Sequence, residues 1–494
     1  MTDEQALSVS VGKLIEFSCK TGDLFFTAPA GPSAQEGIRA HKKLQQQIPK
    51  ESEAEFSLKV TLPELVSAYR VTIQGRVDIL HPAQDLLSPP LLEEIKTTYV
   101  HPDKISDSQK QLQWAQLKLY GYAYGLHLFE QGETPPEEVD LQAVWYNIKD
   151  KQVFREKITC SRETLETFAR QAINLYCAWQ RRVHEHLLQT RTDSQALAFP
   201  FPEYRAGQRE MAVSVYRSLR AAQMLMLEAP TGIGKTMSSL YPSLKALGEG
   251  LVDKVVYLTA KNSGREAVLD AVKKMQGSEL RLSVLVLKAR KLSCACRTGV
   301  CERDLDGGCP FTKGFYDRLP EAREALIKGP LMTPERLAEV GQAYRLCPFE
   351  LSISMLPWAT LVVCDFNYVF DPLVGLSYFD DNSDRIALLV DEAHNLGDRS
   401  RDMYSALADR ASTQRAAKEC KTHYPLIHKA AKSAVRALDR WSKDCGPGVS
   451  VHEVFNAEGA RSEAYAEAIT RAQARIIEAV SLSLEQGGSL PDSV

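Results

Sequence analysis

The chain has 494 residues, a formal net charge of −3, 44% hydrophobic and 25% charged residues, and eleven cysteines. That balance excludes wholesale disorder and fibrous repeats, and at roughly 150 residues per domain it predicts about three domains with real cores. No apolar run approaches the about 18 residues that cross a bilayer, and Met1-Thr2-Asp3-Glu4 opens no secretion signal, so a reducing, cytoplasmic setting without a membrane is expected, where cysteines rarely pair. The near-neutral total neither supports nor excludes a nucleic-acid partner.

Residues 1–195 mix short strand-like runs with a helix-rich second half. Across 70–80 the chain alternates apolar and polar, so that Val71, Ile73, Val77 and Ile79 share one strand face and Gln74, Arg76 and Asp78 the other. The next strand-like run, residues 91–98, puts Glu94 and Lys96 on one face and Glu93 and Ile95 on the opposite one. Two carboxylates and an ammonium gathered on paired strands can hold Mg²⁺ or Mn²⁺ and activate a water. Gln116 and Tyr120, four apart, share a helix face. As a set these residues resemble the RecB-type branch of the PD-(D/E)xK nucleases. That resemblance implies a restriction-endonuclease-like domain with His41 as an upstream ligand. Asp78, the Glu94-Ile95-Lys96 element and the Gln116-x-x-x-Tyr120 helix motif would complete the catalytic set, with His41, Asp78 and Glu94 on the metal.

Two nearby prolines in Phe199-Pro200-Phe201-Pro202 mark a link, after which strand and helix patterns alternate, as in a parallel sheet. Met224-Leu225-Met226-Leu227 reads as a strand running into Glu228-Ala229-Pro230-Thr231-Gly232-Ile233-Gly234-Lys235-Thr236 and a helix. Backbone N–H groups from Thr231, Gly232 and Gly234 would cradle the phosphates of ATP, Lys235 would reach the β and γ oxygens, and Thr236 would ligate Mg²⁺. Ile386–Val390 reads as a strand buried on both faces and ends in Asp391-Glu392-Ala393-His394. Carboxylates there face the ligand crevice, Asp391 for the metal and Glu392 for the attacking water.

Between these motifs Cys294, Cys296, Cys301, Cys309 and Cys347 cluster, a pattern that fits an iron–sulfur cluster or zinc. Arg290-Lys291-Leu292-Ser293-Cys294, Cys347-Pro348-Phe349-Glu350-Leu351, residues 362–372 and Asp391-Glu392-Ala393-His394-Asn395 together resemble the XPD/DinG family of superfamily 2 DNA helicases. The resemblance covers about residues 200–400. It implies a RecA-like motor domain whose 4Fe–4S cluster is held by Cys294 (or Cys296), Cys301, Cys309 and Cys347, with Cys364 in the core. It also implies that Gln208 contacts adenine, that Thr259-Ala260-Lys261 line a path for single-stranded or forked DNA, and that ATP drives 5′–3′ unwinding in repair or replication.

After about residue 400 the pattern is all-helical and fits the start of the family's Arch domain. The expected layout is therefore α/β. It comprises a nuclease-like domain (1–195), a motor domain in two parts (196–290 and 351–400) around an iron–sulfur insert (291–350), and an incomplete Arch-like segment (401–494). The motifs of a second motor domain do not follow, so weak ATP binding and no unwinding are expected of this chain alone. A different reading, a non-catalytic module that recognises DNA structure, competes with the enzyme.

Overall fold

The structure, a computed structural model, describes residues 5–24, 34–83, 88–230, 232–276, 280–294, 309–380, 384–405, 409–422 and 424–444. These belong to two compact units, one comprising Met1–Leu24, Gly31–Gly299 and Phe311–His394, the other Phe25–Ala30, Val300–Pro310 and Asn395–Val494.

The larger unit contains two sheets. Its first part runs β1 (Gln5–Ser10), α1 (Val11–Ser18), α2 (Ala34–Gln45), β2 (Glu53–Thr61), β3 (Tyr69–His81), β4 (Leu91–Thr98), α3 (Asp107–Glu130), β5 (Glu138–Asn147), β6 (Val153–Ser161) and α4 (Arg162–Ala196). Strand order is β1-β3-β4-β5-β6, with β2 on β3. β2, β3 and β4 pair antiparallel, and the crossover helix α3 brings β5 parallel to β4. Val71, Ile73 and Val77 pack with Leu117 and Leu119 of α3 and Leu165, Ala169 and Ile173 of α4. Ile79 departs from the expected common face: it joins a separate cluster with Ala40 and Leu44 of α2 and with Ile95 and Val144. The change of cluster coincides with a break in the β2–β3 ladder, where Glu55 takes a left-handed φ of 56° between the pairs Ala54–Ile79 and Phe56–Val77.

The second sheet follows α5 (Gln208–Arg220) and α6 (Lys235–Gly248), with β7 (Lys254–Leu258), α7 (Asn262–Gln276), β8 (Val284–Val286), α8 (Arg290–Ser293), α9 (Phe315–Ile327), β9 (Leu331–Met332), α10 (Pro334–Tyr344), α11 (Pro348–Ser354), β10 (Leu361–Cys364), α12 (Asn367–Phe370), α13 (Ser377–Asp380) and β11 (Ile386–Val390). Its order is β11-β7-β10-β8-β9, and every pair is parallel. β7 and β10 are wholly buried, as parallel interior strands should be, and apolar but for Lys254 at the start of β7, whose ammonium donates to the Leu356 carbonyl at 2.9 Å. Cys364 lies in that core.

Two expectations need correction. Met224–Leu227 is not a strand; Met224 is 94% and Met226 87% exposed. A four-residue apolar run becomes a strand only beside a neighbour, and no described strand pairs with it. β11 is an edge strand, not one buried on both faces: it pairs only with β7 among the described residues, and Leu388 is 38% exposed.

Helix α4 serves both sheets. Its first half packs on the first sheet, while farther along Thr190 donates to the Arg281 carbonyl (2.7 Å) and Gln195 to that of Gly248 (2.9 Å). Gly248 allows the approach, since a Cβ there would lie 2.7 Å from the Gln195 nitrogen.

In the smaller unit, Asn395–Val494 is mainly helical where described, as expected after about residue 400: α14 (Leu396–Met403), α15 (Arg410–Glu419) and α16 (Pro425–Asp444), with Cys420, Ile427 and Ala430 in contact. Residues 445–494 of the expected Arch-like segment lie outside the described residues. Among the described residues no helix is long and apolar enough to cross a membrane.

Candidate active sites

The first site lies where β3, β4, α2 and α3 meet. Ile79 pairs with Glu93, which sets Asp78 beside Glu94 one step along the two strands. Asp78 Oδ2 accepts from the Ile95 N–H at 2.6 Å, and His41 Nδ1 on α2 stands 3.3 Å from Asp78 Oδ1. Glu94 Oε1 accepts from Lys96 Nζ (2.6 Å) and Gln116 Nε2 (2.8 Å). Gln116 also donates to the Tyr120 hydroxyl at 3.4 Å. The structure thus brings His41, Asp78, Glu94, Lys96, Gln116 and Tyr120 together.

Its electrostatics follow from burial. Glu94 is 4% exposed, and desolvation pushes its carboxyl up to about 7 against the pull of Lys96. The hydrogen bond with Asp78 raises His41, and burial raises Tyr120 to about 12. Glu94 Oε2 is buried without a hydrogen-bond partner, a costly state that a cation would relieve. Carboxylate oxygens with one imidazole suit Mg²⁺ or Mn²⁺, so the residues fit such an ion.

Sequence reasoning missed three supporting groups. Glu55 on β2 offers a carboxylate oxygen that lies, with those of His41 and Asp78, in a set within 4.8 Å of one another. Gln113 donates to the Glu94 carbonyl at 3.0 Å, and Gln45 links Glu55 Oε1 (2.8 Å) to the Asp78 carbonyl (3.2 Å). For Gln113 a signal existed, since it precedes Gln116 by one helical turn. For Glu55 and Gln45 none did, because their placement depends on which elements pair.

The second site lies at the start of α6. Gly232 and Gly234 have φ of 86° and 88°, values that favour glycine, and no side chain caps the helix, whose first N–H groups are thus available to phosphate. Gln208 is buried against this turn: it accepts from the Arg205 N–H at 3.0 Å, and a Cβ on Gly234 would meet its amide at 2.5 Å. Lys235 Nζ stands 3.9 Å from Glu392 Oε1, so the loop and the carboxylates at the end of β11 face each other. Burial, with Glu392 beside it, raises Asp391. Glu392 itself holds a φ of 52°, the kind of conformation that persists where surroundings enforce it. Tyr257 on β7 bonds Thr236 and Ser239. At the end of β7 Thr259 is buried and Lys261 exposed. Thr231 lies outside the described residues.

Of the proposed cluster ligands, Cys301 and the alternative Cys296 lie outside the described residues. Cys309 is buried; Cys294 and Cys347 are half-buried. Cys294 follows α8 and Cys347 precedes α11, and these two short helices are tied by Arg290, which bonds Glu350 at 2.6 Å and lies 4.7 Å from the Phe349 ring centroid.

Residues 270–412 match the DEAD_2 family. The chain is 28% identical over 228 residues to the general transcription and DNA repair factor IIH helicase subunit XPD of Arabidopsis thaliana, covering 40% of this chain and 30% of that protein. It is 25% identical over 261 residues to a regulator of telomere elongation helicase 1 homolog of Aedes aegypti, covering 40% and 25% respectively. The chain thus spans about a third or less of the length of these relatives. Among solved structures it is similar to an XPD helicase at 18% identity, covering 58% of this chain and 52% of that one, with a TM-score of 0.36. A structure described as truncated XPD matches 56% of this chain and 81% of its own length at a TM-score of 0.33. The sequence similarities support an XPD-like superfamily 2 helicase.

Proposed function

We propose that this chain is part of an ATP-dependent DNA helicase that carries its own metal-dependent nuclease. Hydrolysis of ATP at Lys235, Asp391 and Glu392 would drive unwinding in the complete protein, and the site around Glu94 would cleave single-stranded or forked DNA. A 4Fe–4S cluster held by Cys294, Cys301, Cys309 and Cys347 would order the insert. The similarity to repair and telomere helicases supports the motor reading and a place in DNA repair. One observation carries the nuclease reading: Glu94 is buried, with one oxygen gripped by Lys96 and Gln116 and the other without a hydrogen-bond partner, in a carboxyl that feels the charges of both Asp78 and His41.

A divalent cation held by His41, Asp78 and Glu94 would offset the charge that builds on a phosphodiester. The protein's own groups do the rest. Gln116 orients Glu94, and Lys96 Nζ, in contact with the same oxygen, is placed to orient and polarise a water. The ring of Tyr120 walls the pocket beside Gly75. At the motor site Lys235 binds the terminal phosphates, and Glu392 is placed to take a proton from the attacking water.

The test is incubation of the full chain with end-labelled single-stranded and flap DNA in Mg²⁺ or Mn²⁺, with Asp78→Ala beside it. Cleavage that Asp78→Ala reduces at least about a hundredfold is expected. Absent cleavage, or cleavage indifferent to Asp78→Ala, would leave the DNA-recognition module as the better reading. For the cluster, anaerobic protein should be brown with about four irons per chain; a colourless zinc protein would overturn it.

A further inference from the structure

Glu55 is not part of the motif that led to the nuclease reading, yet it stands inside that site. It lies on β2 opposite Asp78, and it is the one position of the β2–β3 register between Glu53 and Thr61 where the ladder pair is missing. Its φ of 56° places a non-glycine residue in the left-handed region within a strand, a strained conformation that persists only where surroundings enforce it. Arg76 Nε, 2.5 Å from Oε2, and Gln45, 2.8 Å from Oε1, hold the carboxylate. So held, it offers an oxygen within 4.8 Å of ligand atoms on both His41 and Asp78. The unpartnered, buried Oε2 of Glu94, on the strand across β3 from Glu55, is an independent sign that this cleft is built for a cation.

We propose that Glu55 is a further metal ligand, completing with His41 and Asp78 a divalent-cation position on the β2 side of Asp78, and that Arg76 is the counter-ion the cation displaces. The proposal rests on the nuclease reading and deepens it: Asp78 is shared between the Glu94 side and the Glu55 side of the cleft. Arg76 is 65% exposed, so it can leave for solvent when an ion arrives.

The two partners therefore predict opposite signs. Mn²⁺ is titrated into the full chain, without DNA, by calorimetry and by electron paramagnetic resonance of the free ion, and folding of each variant is checked by circular dichroism. Glu55→Gln is expected to weaken binding at least about tenfold, the loss typical of a ligand-shell change. Arg76→Ala is expected to tighten it, and Asp78→Asn to abolish it. Affinities unchanged in both Glu55→Gln and Arg76→Ala, with binding still lost in Asp78→Asn, would overturn the role of Glu55 and leave the nuclease reading standing. A wild-type chain that binds no Mn²⁺ would overturn both. If Glu55→Gln fails to fold, Arg76→Ala decides alone: tighter binding supports the proposal, and unchanged or weaker binding sinks it.

Discussion

At Gly75 one missing carbon sets the shape of the candidate nuclease cleft. A Cβ there would come within 2.8 Å of Tyr120 Cε1 and 3.1 Å of Val11 Cγ2. Both belong to buried residues that cannot withdraw without moving α3 or α1. Gly75→Ala should therefore cost about 1–3 kcal/mol by overpacking, and should lower cleavage by displacing Tyr120 from Gln116. The check is a thermal melt alongside the cleavage assay; an unchanged melting temperature with full activity would show that the ring yields without consequence. Gly75 was silent in the sequence, as was Glu55, because each acts through a residue that only strand pairing or helix docking brings near. Glu94, Lys96, Gln116 and Tyr120 could be grouped for the converse reason, whereas His41 entered only through the family resemblance. Lys96 and Glu94 are set by the two-residue period of one strand, and Gln116 and Tyr120 by one turn of one helix. Only the union of those local sets needed the fold.

At the scale of the element, α4 shows what periodicity does not convey. Its 35 residues form one long helix where the sequence indicated only a helix-rich stretch, and nothing in their spacing says that its second half leaves the first sheet for the second. There His186 stacks on Trp358 with centroids 4.3 Å apart and bonds Ser283 Oγ at 2.8 Å. Ser283 itself donates to the Trp358 carbonyl at 2.8 Å, which leaves His186 Nε2–H as the donor in their bond. Burial, with Lys254 nearby and Asp193 opposing, lowers His186 to about 4. The unfolded chain takes up this proton near pH 6.5 and the folded chain only near 4. The stability that the ring contributes is therefore complete above 6.5 and lost as pH falls through that window, about 3 kcal/mol in all. Urea midpoints should drop between pH 7.5 and 5, and His186→Phe, which keeps the stack but cannot titrate, should flatten the slope. A slope unchanged in His186→Phe would assign the pH dependence to other groups. The failure of Met224–Leu227 to form a strand has the same root as the hidden role of α4: an apolar run states that it needs covering, not what covers it.

For the larger unit as a whole, the question is whether its two sheets unfold together. Besides α4, the turn after α1 joins them: Leu24 N–H donates to the Thr312 carbonyl at 2.8 Å, Gly22 N–H to Asp317 at 2.9 Å, and Gly314 N–H to Asp23 at 2.7 Å. Arg182 on α4 pairs with Glu324 on α9. Beside that pair Arg323 is enclosed, its guanidinium 5.3 Å from the Phe17 ring centroid and 5.4 Å from that of Trp179. Burial lowers it to about 10, and its Nε has no hydrogen-bond partner. Cation–π attraction returns about 2 kcal/mol when desolvated, which competes with a desolvation cost of several. The balance predicts that Arg323→Met, which keeps the apolar contacts with Phe17 and Trp179, leaves the melting temperature unchanged or higher. Arg323→Glu buries a charge that the two ring faces repel, and it should part the sheets. In calorimetry the wild-type chain and Arg323→Met should then show the two sheets melting in a single transition, and Arg323→Glu two. Two transitions already present in the wild type would mean that the contacts along α4 and α9 are too weak to couple the sheets. Arg323→Met melting well below wild type would mean that the charge itself, and not the packing around it, holds this junction.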